Sequence, residues 1–446
     1  MNRDARVAQM KEQVIIMSVN DLGLTVSKEG RFSTAMQPWL VCLAASLFFF
    51  YQFVQGNMFA SIADHVMRDF GIQANKLMYL SSAYYLANVV FLLAAGILLD
   101  RFSIKKILVG LMFFCMLSTF VLAYTTNFSL ALLCRFVAGV TSAFCFLGPV
   151  RLATRWFPPK RMAMITGVIV TMAMTGGLLA QYPMTALVLH LGWRGAVLDV
   201  AWLGLFMLLL MMWLIEDKPP GYKEPRHEIL PLKTVWKGCM HIQPLASGVY
   251  TSLMNLPIAV LGAAMGKLYL MQRLHVSQPE ASMVNGMLFL GAMLGGPVIG
   301  FFSDKLGRRL LPMQLGALVS LVIVLGILYA PVSLHMMGVL FFLLGFTTMA
   351  QVISYVLVAE SAKPVMIATL MGVVSVLTQG GYTVYQNVFS AILVRGDGVT
   401  WVGGTPVYSI ESYQTAALML PAAFIVSFVL IFFLKETFAK PQDQEG

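Results

Sequence analysis

Two charged stretches interrupt an otherwise apolar chain. One reads Gly300-Phe301-Phe302-Ser303-Asp304-Lys305-Leu306-Gly307-Arg308-Arg309, and its weaker echo is Gly96-Ile97-Leu98-Leu99-Asp100-Arg101-Phe102-Ser103-Ile104-Lys105-Lys106. An aspartate set a few residues from arginines can build a charge-assisted network that ties helix ends together and lets go on a small movement. Two further cations, Arg135 and Lys267, stand inside apolar runs. Burying an arginine at the centre of a membrane helix costs roughly 2.5–3.5 kcal/mol, so Arg135 must face a cavity or a polar partner. It would either attract an anionic group or be fixed by carbonyls of neighbouring helices. Lys267 lies nearer a helix end, where it could snorkel to the outer interface or meet a solute.

Neutral hydrogen-bonding side chains recur near the middle of the apolar runs: Tyr51, Gln52, Gln55, Asn255, Gln351, Tyr355, Gln379, Tyr382, Tyr385 and Gln386. Tyr51 and Gln55 share a helix face, as do Gln351 and Tyr355, because each pair is four residues apart. Such groups suit a polar organic solute, and they also serve as glue between helices. Among the acids, Asp199 alone falls within an apolar run, while Asp64 is assigned to an outer loop. A proton-coupled carrier generally keeps a titratable acid in its cavity, which makes Asp199 the coupling candidate; pairing near the interface is the alternative.

Enzymatic and metal chemistry find no foothold. The five cysteines form no CxxC pair, four of them lie in apolar runs, and the six histidines fall near helix ends or in loops, so neither a zinc site nor a disulfide framework is indicated. No nucleophile–base motif is present. The stretch Gly262-x-x-x-Gly266-Lys267 is one residue short of a phosphate loop and lacks the following Ser or Thr. No cofactor is expected.

The elements that must position these residues follow from composition. Of 446 residues, 59% are hydrophobic and only 11% charged, against about a quarter charged in soluble domains. Twelve runs are long enough to span the hydrocarbon core, which takes about 20 residues: 38–63, 77–99, 105–126, 129–150, 162–189, 195–215, 246–271, 282–302, 311–330, 335–357, 365–394 and 412–434. The expected fold is an all-α integral membrane protein with an N-terminal segment 1–37, a six-helix half 38–215, a linker 216–245, a second half 246–434 and a tail 435–446. The linker is charged and punctuated by Pro219, Pro220, Gly221, Pro225 and Pro231. Asp100 and Asp304 are 204 positions apart, which points to two repeated halves. Lys and Arg divide 23 to 5 between alternate sides, with Arg135 and Lys267 inside spans. The basic side, with both termini and the linker, is therefore expected to be cytoplasmic. The net charge of +10 then reflects basic loops rather than nucleic-acid binding.

The two charged turns resemble the signature loop of the major facilitator superfamily of secondary transporters, Gly-x-Leu-x-Asp-Arg-x-Gly-Arg-Arg/Lys. The second copy fits nearly throughout; the first keeps Gly96, Asp100, Arg101 and Lys105 but carries Ser103 and Ile104 where Gly and a basic residue are usual. Arg135-Phe136-Val137-Ala138-Gly139, the basic loop Arg155-Trp156-Phe157-Pro158-Pro159-Lys160-Arg161 and Leu191-Gly192-Trp193-Arg194 are similar to further motifs of that family. Phe49 to Gly71 and Gly266 to Arg309 also resemble proteobacterial nutrient-uptake members, including the phagosomal transporters.

The resemblance implies alternating access across a bacterial inner membrane, with a cavity lined by helices one, four, seven and ten. It implies gates built from Gly96, Asp100, Arg101, Lys105, Arg151, Arg155, Gly300, Asp304, Gly307, Arg308, Arg309 and Glu360. The expected activity is uptake, as a monomer, of a small polar or anionic solute such as an amino acid, an organic acid or a carboxylate siderophore, with a proton as the candidate coupling ion. Export of a drug or metabolite is the rival reading. Thr175-Gly176-Gly177 lacks the Gly-Pro of the antiporter helix-five motif, which weakens that rival. A non-transporting membrane sensor is the alternative from another class.

Overall fold

The computed structural model describes residues 36–158, 161–219, 238–362, 366–395, 400–402 and 405–438. Most of the linker, the N-terminal segment and the end of the tail lie outside these residues. Twelve spans follow one another. The first half holds α1 (Gln37–Asn57, continued by Phe59–Phe70), α2 (Ala74–Arg101), α3 (Ile104–Tyr124), α4 (Phe128–Ser142 and Leu147–Trp156) and α5 (Met162–Leu179, resumed at Tyr182). At Gly192 (φ 71°) the helix Tyr182–Leu214 bends, and α6 runs from that kink to Leu214. The second half holds α7 (Ile242–Met254, a π-helical Ile258–Met265 and Gly266–Leu274), α8 (Gln278–Leu306), α9 (Leu310–Tyr329), α10 (Leu334–Thr348 and Val352–Glu360), α11 (Ile367–Arg395) and α12 (Ile410–Ala417 and Met419–Leu430). A short hairpin, β1 (Thr400–Val402) with β2 (Thr405–Val407), joins α11 to α12. Among the described residues nine helical stretches are long and apolar enough to cross a membrane, and the stretch 165–214 contains both α5 and α6.

The halves repeat in detail. Ser103 caps α3 and donates to Asp217, whose other oxygen accepts from Lys105 N at 2.8 Å. At the matching place in the second half, Glu436 accepts from Arg309 N at 2.8 Å and Leu310 N at 2.9 Å. In each half an acid just beyond the sixth span supplies acceptors to the orphan amides opening the third. Within the second half, α8 and α10 approach so closely that a Cβ on Gly291 would lie 1.9 Å from Phe342 O, and one on Gly345 would lie 2.0 Å from Leu288 O. Small residues are what permits such contact.

The hydrogen bonds that join the two halves gather near the face opposite the termini. Lys267 and Gln278 reach Asp64, and Thr185 pairs with Ser282 at 2.7 Å. Asn285 Nδ2 donates to Gln181 Oε1 at 2.7 Å, Gln181 Nε2 donates to Gly262 O at 3.0 Å, and Ala74 N donates to the Tyr408 hydroxyl at 2.9 Å. Deeper along the same seam a Cβ on Gly177 would meet the Phe289 ring at 2.5 Å. Toward the basic face α2, α5, α8 and α11 carry Gly96, Gly167, Gly300 and Gly372, with no described atom within 4 Å of an added Cβ.

One boundary is corrected here. α1 does not end at 63 but runs to Phe70 and stops at Gly71, which caps it in the left-handed conformation (φ 61°). Its last turns bury Phe59, Ile62, Ala63, Val66 and Met67, so Asp64 sits inside a buried helix rather than in an outer loop.

Candidate solute site and gates

Arg135 is fully buried on α4. Its guanidinium lies between the rings of Phe59 (4.8 Å) and Tyr84 (4.7 Å), a cation–π sandwich supplied by α1 and α2. Nε donates to Leu80 O at 3.3 Å and Nη1 to Gln55 Oε1 at 3.4 Å, both long bonds. Nη2 is buried without a hydrogen-bond partner, and among the described residues no carboxylate pairs with the group. A buried guanidinium normally demands a counter-charge and a full set of acceptors. This one has neither.

Around it the polar set divides by role. Tyr51 reaches Thr119 at 3.3 Å, Gln55 donates to Thr119 at 2.8 Å, and Gln52 donates to Thr141 at 2.8 Å. These bonds bind α1 to α3 and α4. Tyr84, from α2, donates to Gln52 O at 2.9 Å, and Tyr85 donates to Gly56 O at 3.2 Å. The Tyr85 ring meets Tyr382 of α11 with centroids 4.8 Å apart. Tyr382 in turn donates to Asn255 Oδ1 at 3.2 Å, and Asn255 exchanges amide hydrogen bonds with Gln351. A polar belt thus runs from Arg135 across both halves to α7 and α10. Tyr385 pairs with Ser252 at 2.8 Å, Tyr355 lies 3.5 Å from Ser375, and Gln386 donates to Ala259 O at 2.9 Å while its Oε1 is buried and unpartnered. Gln379 is half-buried on α11.

Lys267 does not snorkel. It is fully buried, and Nζ donates to Asp64 Oδ1 and to Ser61 O, each at 2.8 Å. Its helix end carries it against α1 rather than toward the interface, and the acid that receives it is the one assigned to a loop. Asp199 is the reverse case: it is exposed on α6, away from the belt. The sequence pointed at Asp199 because it alone among the acids was placed within an apolar run. The informative signal was the stretch Asp64-His65-x-x-Arg68, with one helical turn between its charges at the end of a still-helical pattern.

The charged turn of the second half forms a compact cluster. Arg309, buried, grips Glu360 with Nη2 at 2.6 Å and Nε at 3.2 Å, and Asp304 with Nη1 at 2.6 Å. Ser303 accepts from Nη1 at 3.0 Å, and Thr437 donates to Glu360. Burial opposes the charge of Arg309, yet its bonds to Glu360 and Asp304 raise its pKa above the ordinary guanidinium value. Arg308, expected to share this role, is exposed; the neighbouring arginine makes the contacts. Gly307 takes the left-handed turn (φ 61°) that brings Arg309 back over Asp304. All these residues belong to one half.

In the first half Arg155 Nη1 donates to Asp217 O at 3.4 Å and Lys105 is held through its backbone amide. Arg101 is exposed and Arg151 half-buried. The side chain of Asp100 lies outside the described residues. No group of three or more metal-ligating side chains occurs among the described residues.

Twelve spans in two repeated halves, a polar belt at their junction and charged turns on one face define a multi-pass secondary carrier. The Major Facilitator Superfamily pattern matches residues 43–266 and again 245–446, and the chain belongs to that family. It is 25% identical over 409 residues to the membrane sensor protein UhpC of Escherichia coli (strain K12), covering 85% of this chain and 90% of that one. Over 101 residues, 21% of this chain and 22% of the other, it is 36% identical to a probable galactarate/D-glucarate transporter, GudP, of Pseudomonas putida. The fold superposes on a D-xylose–proton symporter with a TM-score of 0.72 at 11% identity, covering 91% of this chain and 99% of that one.

Proposed function

We propose that this protein carries a small anionic organic solute across the bacterial inner membrane by alternating access, with both termini in the cytoplasm. The observation that carries this reading is Arg135, buried to 0% exposure with Nη2 unpartnered in the polar belt that joins the halves. A carboxylate placed there would supply the missing counter-charge and acceptor. GudP, named for two sugar diacids, supports an organic acid as solute. Uptake fits a chain whose fifth helix lacks the antiporter Gly-Pro. Counterflow of labelled organic acids in proteoliposomes tests the reading; absence of exchange for every acid and amino acid tried would overturn it.

A second reading, a sensor that binds without transporting, is favoured by UhpC, which is named a membrane sensor and aligns over most of this chain. Saturable binding to purified protein without counterflow would select it.

A further inference from the structure

We propose, resting on the reading of Arg135 as the anion site, that the solute is a hydroxylated acid and that Gln386 selects it. The guanidinium takes the carboxylate, and the side-chain carbonyl of Gln386 takes a hydroxyl. Gln386 is 1% exposed on α11. Its Nε2 donates to Ala259 O at 2.9 Å, and its Oε1 is buried with no partner. The orientation of this amide is fixed, because a backbone carbonyl can only accept. The group left over is therefore an acceptor, and what it lacks is a donor. Asn255 and Gln351 differ: their amides bond to each other, and Tyr382 donates to Asn255.

Gln379, Tyr382 and Gln386 stand at i, i+3 and i+7, so they share one face of α11. They cover roughly 10 Å along the helix, a length that suits an extended chain bearing several hydroxyls. Gln379 is half-buried and makes no hydrogen bond among the described residues. A free amide at mid-span belongs against a water-filled cavity rather than lipid. The row continues to the guanidinium: Tyr382 meets Tyr85 at 4.8 Å, the Tyr85 and Tyr84 rings are 5.1 Å apart, and Arg135 lies 4.7 Å over Tyr84. An amino acid fits this arrangement badly. Among the described residues no carboxylate pairs with Arg135, and Asp64 is taken by Lys267 and Gln278. An ammonium would add a second buried cation without a counter-charge, whereas a hydroxyl donates one neutral bond. An acid without hydroxyls would leave Gln386 Oε1 unpaired, at the cost of a buried acceptor.

Isothermal titration of the full-length protein in nanodiscs tests this with three matched series. They are D-gluconate, hexanoate and norleucine; D-glucarate, adipate and 2-aminoadipate; and L-malate, succinate and L-aspartate. In the series that binds best, the hydroxylated acid should exceed the other two by roughly tenfold or more. Gln386→Met, or Gln386→Leu where methionine does not fold, should cut that preference to about twofold or less and leave the acid without hydroxyls bound as before. D-glucitol, the uncharged polyol of the gluconate series, separates the two claims. Equal binding of D-glucitol and D-gluconate would remove the anion reading, and hydroxyl selection would then stand if Gln386→Met weakens D-glucitol and fall if it does not. An unsubstituted or amino acid bound as tightly as the hydroxylated one would overturn the proposal. So would an unchanged preference in a folded Gln386 variant, or no binding of any hydroxylated probe.

Discussion

Lys267 of α7 donates to Asp64 of α1 at 2.8 Å, and this contact fastens the second half to the first where both side chains are buried. The charged cluster on the basic face has another character: Arg309, Asp304 and Glu360 all lie in one half. It stiffens the junction of α8, α9 and α10, while the Asp64–Lys267 pair is positioned to report whether the halves are together. In a rocking carrier the one-half cluster answers to measurements of stability, and the interhalf pair to measurements of stability and of conformation alike.

Removing one partner of the interhalf pair should therefore cost more than removing both. Lys267→Met strands a buried carboxylate, and breaking a buried pair this way costs about 3–5 kcal/mol. Thermal unfolding in detergent should show a clear fall in midpoint for Lys267→Met, with most of it recovered in the Asp64→Asn, Lys267→Met double variant. Equal losses in single and double variants would mean that the lysine stem, not the charge, matters.

Within the charged cluster, Glu360 should outweigh Asp304. Glu360 accepts two bonds from Arg309 and is mostly buried, whereas the Asp304 side chain is 70% exposed. Glu360→Gln should cost about 1.5–3 kcal/mol of stability, the range for hydrogen bonds to charged groups. Asp304→Asn should cost about 1 kcal/mol or less, because solvent screens exposed pairs. Chemical unfolding of the two variants side by side gives the ranking, and the reverse order would refute this account.

The α8–α10 contact gives a steric prediction. Gly345→Ala places a methyl 2.0 Å from Leu288 O, and a backbone oxygen cannot move away as a side-chain tip can. Overpacking of this kind costs about 1–3 kcal/mol. Gly300→Ala, with no described atom within 4 Å, should leave the unfolding midpoint within error of wild type. Similar midpoints for the two variants would show that α8 and α10 separate without penalty.

Much of this architecture is legible from the chain because the bilayer forces it. Backbone groups must be satisfied within each span, so apolar length alone marks the helices, and basic loops mark one face. The signature turn was legible because its glycine and arginine spacing is local. Contacts between distant spans were not. Asp64 read as a loop residue because a buried acid is intelligible only with its partner, and Lys267 lies 203 positions away. Asp199 misled for the complementary reason, since apolar neighbours in sequence do not say which face of a helix meets the cavity. Tyr84 and Tyr85, which link Arg135 to the second half, passed unnoticed because aromatic residues are ordinary in membrane helices.

The solute prediction turns on the unpartnered nitrogen of Arg135. If an anionic group of the solute occupies it, Arg135→Gln should selectively weaken binding of that solute while an uncharged analogue, such as the corresponding amide, binds as before. Glutamine keeps a donor and part of the length, and Gln55 and Leu80 O stay within the same pocket. Loss of one hydrogen bond to a charged group is worth about 1.5–3 kcal/mol, or roughly ten- to more than hundredfold in affinity. Arg135→Lys separates charge from shape, because an ammonium keeps the charge but cannot offer the planar fork. Partial recovery with lysine would indicate that charge carries most of the recognition. Equal weakening of acid and amide would instead assign Arg135 to holding α1, α2 and α4 together through Phe59, Tyr84 and Gln55. Isothermal titration with both ligands, on protein whose unfolding midpoint is unchanged, distinguishes these outcomes.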